Sequence, residues 1–397
     1  VSVAARARFR AVRDAVDDGG GADGRWFSRR VLGPFVASRA ALLLAAWFST
    51  YFPIWHRAPA DAPQRAPMRT AVRLLDAWAR WDSGWYLSIA QDGYLSGPLV
   101  GQNRLAFYPG YPLVVGALHR LVPQGWRGHG ELLALGVLVS NAFALAALAL
   151  LYRHARDVLS DEAAAARAVV YLLAFPTAFF LSAVYTEGLF LFLSVAAFHA
   201  ASRSRWWCAA AAAAGACLTR PTGILLLPAL AWRYVEGWER HRLRDALVLL
   251  VPAAAFLGWA AFAGRLTGEP LAFLSVQRFW LKGFTSPWQT LLHPRLDSVH
   301  LSPIDGALSV LTIALGVAML RTLPSKSYGI YALLCVASFI FSGTLTSAAR
   351  YVLVAWPIFL VLARAGRSEL FDRAFLFVSL TVQALFMAGW TRLYWIG

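Results

Sequence analysis

Charge is scarce in this chain. Asp, Glu, Lys and Arg make up 15% of 397 residues, against about 25% in soluble domains. Apolar residues reach 59% and the mean hydropathy is +0.54, which excludes a disordered, collagenous or ordinary water-soluble protein. Cysteine is also rare. Cys208, Cys217 and Cys335 lie in apolar runs without metal-like spacing, so they exclude a disulfide scaffold and read as small core hydrophobes. No P-loop and no GxSxG occurs, which removes the usual support for nucleotide-driven transport, kinase and serine-hydrolase chemistry. The eight histidines are scattered and HExxH is missing, so neither a metal nor a cofactor is expected.

What the chain does have is long apolar runs, among them Ala40–Trp47, Leu132–Tyr152, Trp206–Leu218, Ala246–Phe262 and Val352–Ala363. A helix needs about 20 mostly apolar residues to span a bilayer, so the runs predict an all-α polytopic membrane protein. Eleven helices are expected, at 31–52, 131–152, 164–183, 187–202, 206–219, 221–235, 245–263, 303–320, 328–342, 349–364 and 373–391. The short apolar stretches on either side of Thr219-Arg220-Pro221-Thr222-Gly223 are read as two helices, because Pro221 disfavours one continuous helix.

The net charge of +16 fits anionic lipid facing basic loops rather than nucleic acid. With the N-terminus inside, the short inner loops hold 14 basic residues, whereas the short outer connections hold only Arg220 and Arg350. That asymmetry obeys the positive-inside rule. It leaves two long outer loops, 53–130 and 264–302. Residues 1–30 read as a cytoplasmic basic tail rather than a signal peptide, and 31–397 as one transmembrane domain. The stretch 105–122, broken by Pro109, Gly110 and Pro112, is expected to lie in the interface or re-enter it. The Ala, Arg and Gly bias suggests a GC-rich bacterial source.

Few acids fall outside the inner loops. Asp82 precedes a segment in which Trp81, Trp85 and Ile89 recur at i, i+4, a spacing that gives a helix with an aromatic face at the headgroup level. Asp82 is then either a helix cap or a carboxylate presented to a lipid-linked substrate. Glu187 stands between two apolar runs, either as a solvated loop-end carboxylate or as an acid with a partner or a task. Arg220 and Arg350 either snorkel toward lipid phosphate or bind a substrate phosphate through their planar forks. Arg39, inside the first helix, is expected to pair within the bundle.

These residues carry a resemblance. RWDSGWYLSIAQDGY followed by NRLAFYPGYPLVV resembles the PIG-V family of mannosyltransferases and its bacterial relatives. FPTAFFLSAVYTEGLF is similar to the family's Ser-Ala-x-Tyr-Ser-Glu-Ser-Leu-Phe stretch, TRPTG to its Arg-Ser-Asn-Gly turn, and SAARYVLVAWPIF to its late Arg-Tyr…Pro motif. EPLAFLSVQRFW matches more loosely, through Pro270, Phe273, Gln277 and Trp280. The chain departs from the eukaryotic pattern at Trp85, where His is frequent, and at Pro221-Thr222, where Ser-Asn is usual.

The resemblance implies a GT-C membrane glycosyltransferase with a long first outer loop carrying interfacial helices. It implies a polyprenyl-phosphate sugar donor, commonly of mannose, a lipid or glycan acceptor outside the cytoplasm, and a single inverting displacement. Asp82 is then the base. Arg350 and Arg220 supply positive charge to the leaving phosphate, Gln277 and Tyr94 hydrogen-bond sugar or phosphate, and Glu187 orients the acceptor or a cation. Trp81 and Trp85 flank the base and help bind the substrate. Membrane lipids are the only other partners expected, with no nucleic acid and no protein partner. The rival readings are a transporter or flippase of a lipid-linked saccharide, and a non-catalytic scaffold.

Overall fold

The apolar runs become helices, and prolines decide where several of them stop. The computed structural model describes residues 25–51, 73–95, 99, 101, 103–240, 242–293, 302–345, 347–394 and 396. The expected basic tail up to Gly24 and much of the first outer loop before Arg73 lie outside these. The first half of the chain forms α1 (Gly33–Ser49), α2 (Ser83–Asp92), α3 (Gly110–Leu121), α4 (His129–Leu159), α5 (Glu162–Ala174), α6 (Glu187–Ser202), α7 (Trp206–Cys217) and α8 (Leu226–Glu236). The second half forms α9 (Leu250–Thr267), α10 (Pro287–Leu292), α11 (Ser302–Thr322), α12 (Ser327–Ile340), α13 (Ala348–Val354), α14 (Ile358–Ala365) and α15 (Glu369–Thr391). The described residues contain no strand.

Among the described residues, five stretches are long and apolar enough to cross a membrane: Phe27–Ser49, His129–Leu159, Leu243–Thr267, Ile304–Thr322 and Glu369–Thr391. The bent pair α13–α14 makes a sixth if it counts as one span, and α6, α7 and α12 are shorter apolar helices. Outward faces carry bare apolar side chains, such as Leu257 at 65% exposure and Phe377 at 74%. Water does not tolerate many such faces, and lipid does. The protein is an all-α polytopic membrane protein, as its composition requires.

Two expected helices are broken. The one expected at 164–183 ends at Ala174, because Pro176 pushes Phe175 into an extended conformation (ψ 139°). The chain then runs through the core from 175 to 186 with every residue buried. Irregular backbone survives inside a bundle only if its polar groups find partners, and side chains from elsewhere supply them. Arg39 donates to Ala178 O at 3.2 Å and to Ser182 Oγ at 2.8 Å. Ser140 donates to Ala183 O at 2.6 Å and Gln383 to Phe175 O at 2.7 Å. Arg39 therefore does pair within the bundle, with oxygens of this segment. The helix expected at 349–364 is bent by 81° between α13 and α14, where Pro357 cannot continue the hydrogen-bond ladder. The split at 219–223 holds, with α7 and α8 separated by a 3₁₀ turn at Pro221–Leu225.

The expected first outer loop contains two short helices, α2 and α3. α3 packs on α2 and α4. Its approach to α2 needs Gly116, where a Cβ would stand 2.5 Å from Ala90 O. The far side of α3 bares Leu113 and Leu121, which gives it the apolar face of an interfacial helix. The aromatic face expected of α2 turns inward instead: Trp85, Tyr86 and Ile89 are buried. Trp81 lies before the helix with φ at +54°. The i, i+4 spacing was real, but it marks contact with protein.

Candidate active site

Five charged side chains from five separate segments gather here, four of them lining one open cleft and Glu187 buried behind its wall. The loop before α2 brings Asp82, the first turn of α6 Glu187, the α7–α8 turn Arg220, the segment between α9 and α10 Lys282, and α13 Arg350. The cleft encloses about 680 Å³, its mouth included, and Asp82, Arg220, Lys282 and Arg350 all line it.

Asp82 is aimed by its own backbone. The left-handed Trp81 costs roughly 1–2 kcal/mol, and such strain persists only where the surroundings enforce it. Tyr185 is the enforcing group: the Asp82 N–H donates to its hydroxyl at 3.0 Å, and that hydroxyl donates to Arg80 O at 3.2 Å. Asp82 occupies the N-cap position of α2, yet its side chain makes no capping hydrogen bond. Its Oδ2 faces the Arg350 guanidinium at 3.6 Å. Burial pushes the Asp82 carboxyl above the ordinary aspartate range, and Arg350 and Lys282 pull it back down.

Glu187 is wholly buried and is no solvated loop end. Its Oε1 accepts from Arg220 at 2.6 Å and from Arg350 Nε at 2.9 Å. It does not line the cleft. The guanidiniums are also held by rings, Arg350 over Phe180 and Tyr185 at 4.8 and 4.7 Å, and Arg220 over Phe190 and Tyr351 at 5.8 and 5.2 Å. Both arginines are thus fixed parts of the wall rather than snorkelling side chains.

Local sequence explains how each arginine gets there. Arg220 is extended, and the chain doubles back at once, so tightly that a Cβ on Gly223 would stand 2.3 Å from Ala216 O. Only glycine closes that turn. Gly110 N–H donates to Leu218 O at 2.7 Å and fastens α3 to it. Arg350 rides on α13, whose start is held by Asp305, which accepts from Ala349 N at 3.1 Å.

Three cations face two carboxylates around this cleft, so its surplus charge is positive and suits an anionic ligand. Among the described residues no group of three or more His, Cys, Asp or Glu gathers as a metal ion would need. Of the sequence candidates, Asp82, Arg220, Gln277 and Arg350 line the cleft, and Trp81, Trp85, Tyr94 and Glu187 do not. Trp85 stacks on Phe107 with centroids 5.5 Å apart, and Tyr94 donates to Phe107 O at 2.6 Å. Both brace Phe107, which is a wall residue. Trp81 donates to Tyr394 O at 3.2 Å. The sequence reading missed Lys282, Tyr86 and Tyr351. One signal for Lys282 was available: only two of the 37 basic residues are lysine, and this one falls in the expected outer loop 264–302.

Arg350 offers a direct check of the wall. Lysine keeps the charge but loses the planar fork that reaches Glu187 and Asp82 together. Arg350→Lys is expected to weaken binding of an anionic ligand in the cleft at least tenfold, with Arg350→Ala worse. Wild-type affinity in both variants would remove Arg350 from the site.

Fold and cleft together define an all-helical membrane protein in which, among the described residues, one carboxylate, Asp82, opens to an electropositive pocket. Residues 35–257, more than half of the chain, match the family described as mannosyltransferase (PIG-V). The chain belongs to that family. The match ends before Lys282 and Arg350. Relatives include the rat GPI alpha-1,6-mannosyltransferase 2, 30% identical over 204 residues, covering 50% of this chain and 40% of the relative. The human enzyme of the same name is 28% identical over 279 residues, 62% of this chain and 55% of the relative. The chain thus spans about half the length of these relatives. Solved structures with some likeness include ArnT from Cupriavidus metallidurans bound to undecaprenyl phosphate, with TM-score 0.49 and 17% identity over 90% of this chain and 76% of that one. An Archaeoglobus fulgidus oligosaccharyltransferase gives TM-score 0.46 and 14% identity over 91% and 56%.

Proposed function

We propose that this chain transfers a mannosyl group from a polyprenyl-phosphate-linked donor to a hydroxyl of a lipid or glycan outside the cytoplasm, with inversion. Residues 31–397 act as one transmembrane domain in a bacterial cytoplasmic membrane. The observation that carries the reading is the division of labour between two acids. Asp82 faces the cleft, whereas Glu187 is sealed behind it and neutralised by two guanidiniums. Family membership supplies the sugar and the type of reaction.

Asp82 takes the proton of the acceptor hydroxyl as its oxygen attacks the anomeric carbon. The bond from that carbon to the phosphate oxygen breaks on the opposite face, and polyprenyl phosphate leaves with the electron pair. Charge grows on the phosphate as it departs. Fixed cations in a site of low dielectric stabilise that charge without reorganising, and Arg350, Arg220 and Lys282 surround the place where it develops. Gln277 adds an amide able to bond a sugar hydroxyl.

Proteoliposomes loaded with polyprenyl-phosphate mannose, labelled in the sugar, test this against the flippase reading. Transfer predicts label leaving the polyprenyl phosphate and appearing on a second molecule. Intact labelled donor crossing between leaflets would instead make the protein a transporter. The side of the site is tested by cysteines introduced at positions 73, 242 and 286. The first and last should react with an impermeant reagent from outside, and position 242 only after permeabilisation. External labelling at 242 would place the cleft on the cytoplasmic side.

A further inference from the structure

Arg220 and Arg350 converge on one carboxylate oxygen, so much of their charge is spent inside the wall. Lys282 is different. No carboxylate lies within ion-pair distance of it among the described residues. Its Nζ donates to the Tyr351 hydroxyl at 3.2 Å and stands 5.3 Å from the centre of that ring. The hydroxyl, having accepted from Lys282, keeps its own proton to give, and both side chains line the cleft. An ammonium and a phenolic O–H side by side suit two oxygens of one phosphate group.

The backbone places this lysine deliberately. Leu281 is left-handed at φ +59°. The next residues then pair with the end of α12, Gly283 N–H donating to Ser342 O at 2.9 Å and Thr285 N–H to Phe341 O at 3.0 Å. The same few residues present an apolar outer face. Phe284 is 90% exposed and stacks on Phe341 at 6.0 Å, and Trp288 on α10 is also exposed. Charge inward and apolar surface outward, two residues apart, match a phosphate that carries a hydrocarbon chain.

We propose that Lys282 and Tyr351 form the seat of the donor's phosphate, with the isoprenoid chain leaving over Phe284 and Phe341. This rests on the transferase reading above, and Lys282 acts as a donor-binding residue.

The test is binding of farnesyl phosphate to the full chain in nanodiscs, with farnesol and inorganic phosphate as comparison ligands. Losing a hydrogen bond to a charged group predicts that Lys282→Gln weakens farnesyl phosphate about 10- to 100-fold. Lys282→Arg should hold within several-fold, Tyr351→Phe should weaken it severalfold, and Lys326→Gln should change nothing. Farnesol should bind poorly to all of them. Wild-type affinity in both Lys282→Gln and Tyr351→Phe would overturn the seat, and sugar transfer by the wild type would still leave the transferase reading standing. Lysine-dependent binding in a wild type that transfers no sugar would keep the seat and sink that reading. Inorganic phosphate displacing farnesyl phosphate at equal concentration would overturn the lipid-linked assignment.

Discussion

Asp82→Asn is expected to leave a folded protein that binds donor and transfers sugar about 10²–10⁴ times more slowly, the usual loss when a positioned base is removed. Asparagine keeps the size of the side chain, and it caps helices about as well as aspartate. A capping role would therefore make the change nearly silent. The structure already separates the two roles, because the carboxylate makes no capping bond and faces Arg350. A pH profile adds a second readout. A base must be ionised, so transfer falls as pH drops through the Asp82 pKa, which burial raises above the ordinary value while Arg350 and Lys282 lower it. The acid limb should therefore lie above that of an exposed aspartate. Lys282→Gln removes one lowering charge and should move the limb further up. An Asp82→Asn variant with wild-type turnover would remove Asp82 from the chemistry.

Glu187→Gln should act on the fold first. Glu187 is the shared partner of Arg220 and Arg350, and all three are buried. Breaking a buried pair by removing one member typically costs about 3–5 kcal/mol, because the remaining charge stays behind uncompensated. Here two guanidiniums are left. The variant should unfold at a clearly lower temperature in detergent than Asp82→Asn, and it should lose transfer as Arg350 loses its anchor. Thermal unfolding at the wild-type temperature would mean that the pair is not what holds the wall. Loss of activity with full stability would point to a direct part for Glu187 in the reaction.

The contrast between these acids shows how far the sequence could be read. Local pattern was enough to mark Asp82, Glu187, Arg220 and Arg350, because acids are few outside the expected inner loops, Arg220 and Arg350 are the bases of the expected short outer connections, and each stands near an apolar run. Pattern also gave the all-helical bundle and the break at Pro221. What it could not give was direction. Trp81, Trp85 and Ile89 have the spacing of an amphipathic face whether that face meets lipid or protein, and α3 lying over α2 decides for protein. Pro176 stands in plain view, but the buried course of 175–186 depends on Arg39, Ser140 and Gln383, which come from three distant helices. Lys282 enters the cleft only because residues 283–285 pair with 341–342. That contact crosses more than fifty residues and leaves no periodic trace.

The most direct test is the anomeric configuration of the first product, read by NMR against a donor of known configuration. A single displacement with Asp82 as base predicts inversion in every turnover, with no sugar attached to the protein at any stage. Retained configuration would contradict it and would make Asp82, if anything, a nucleophile that carries the sugar.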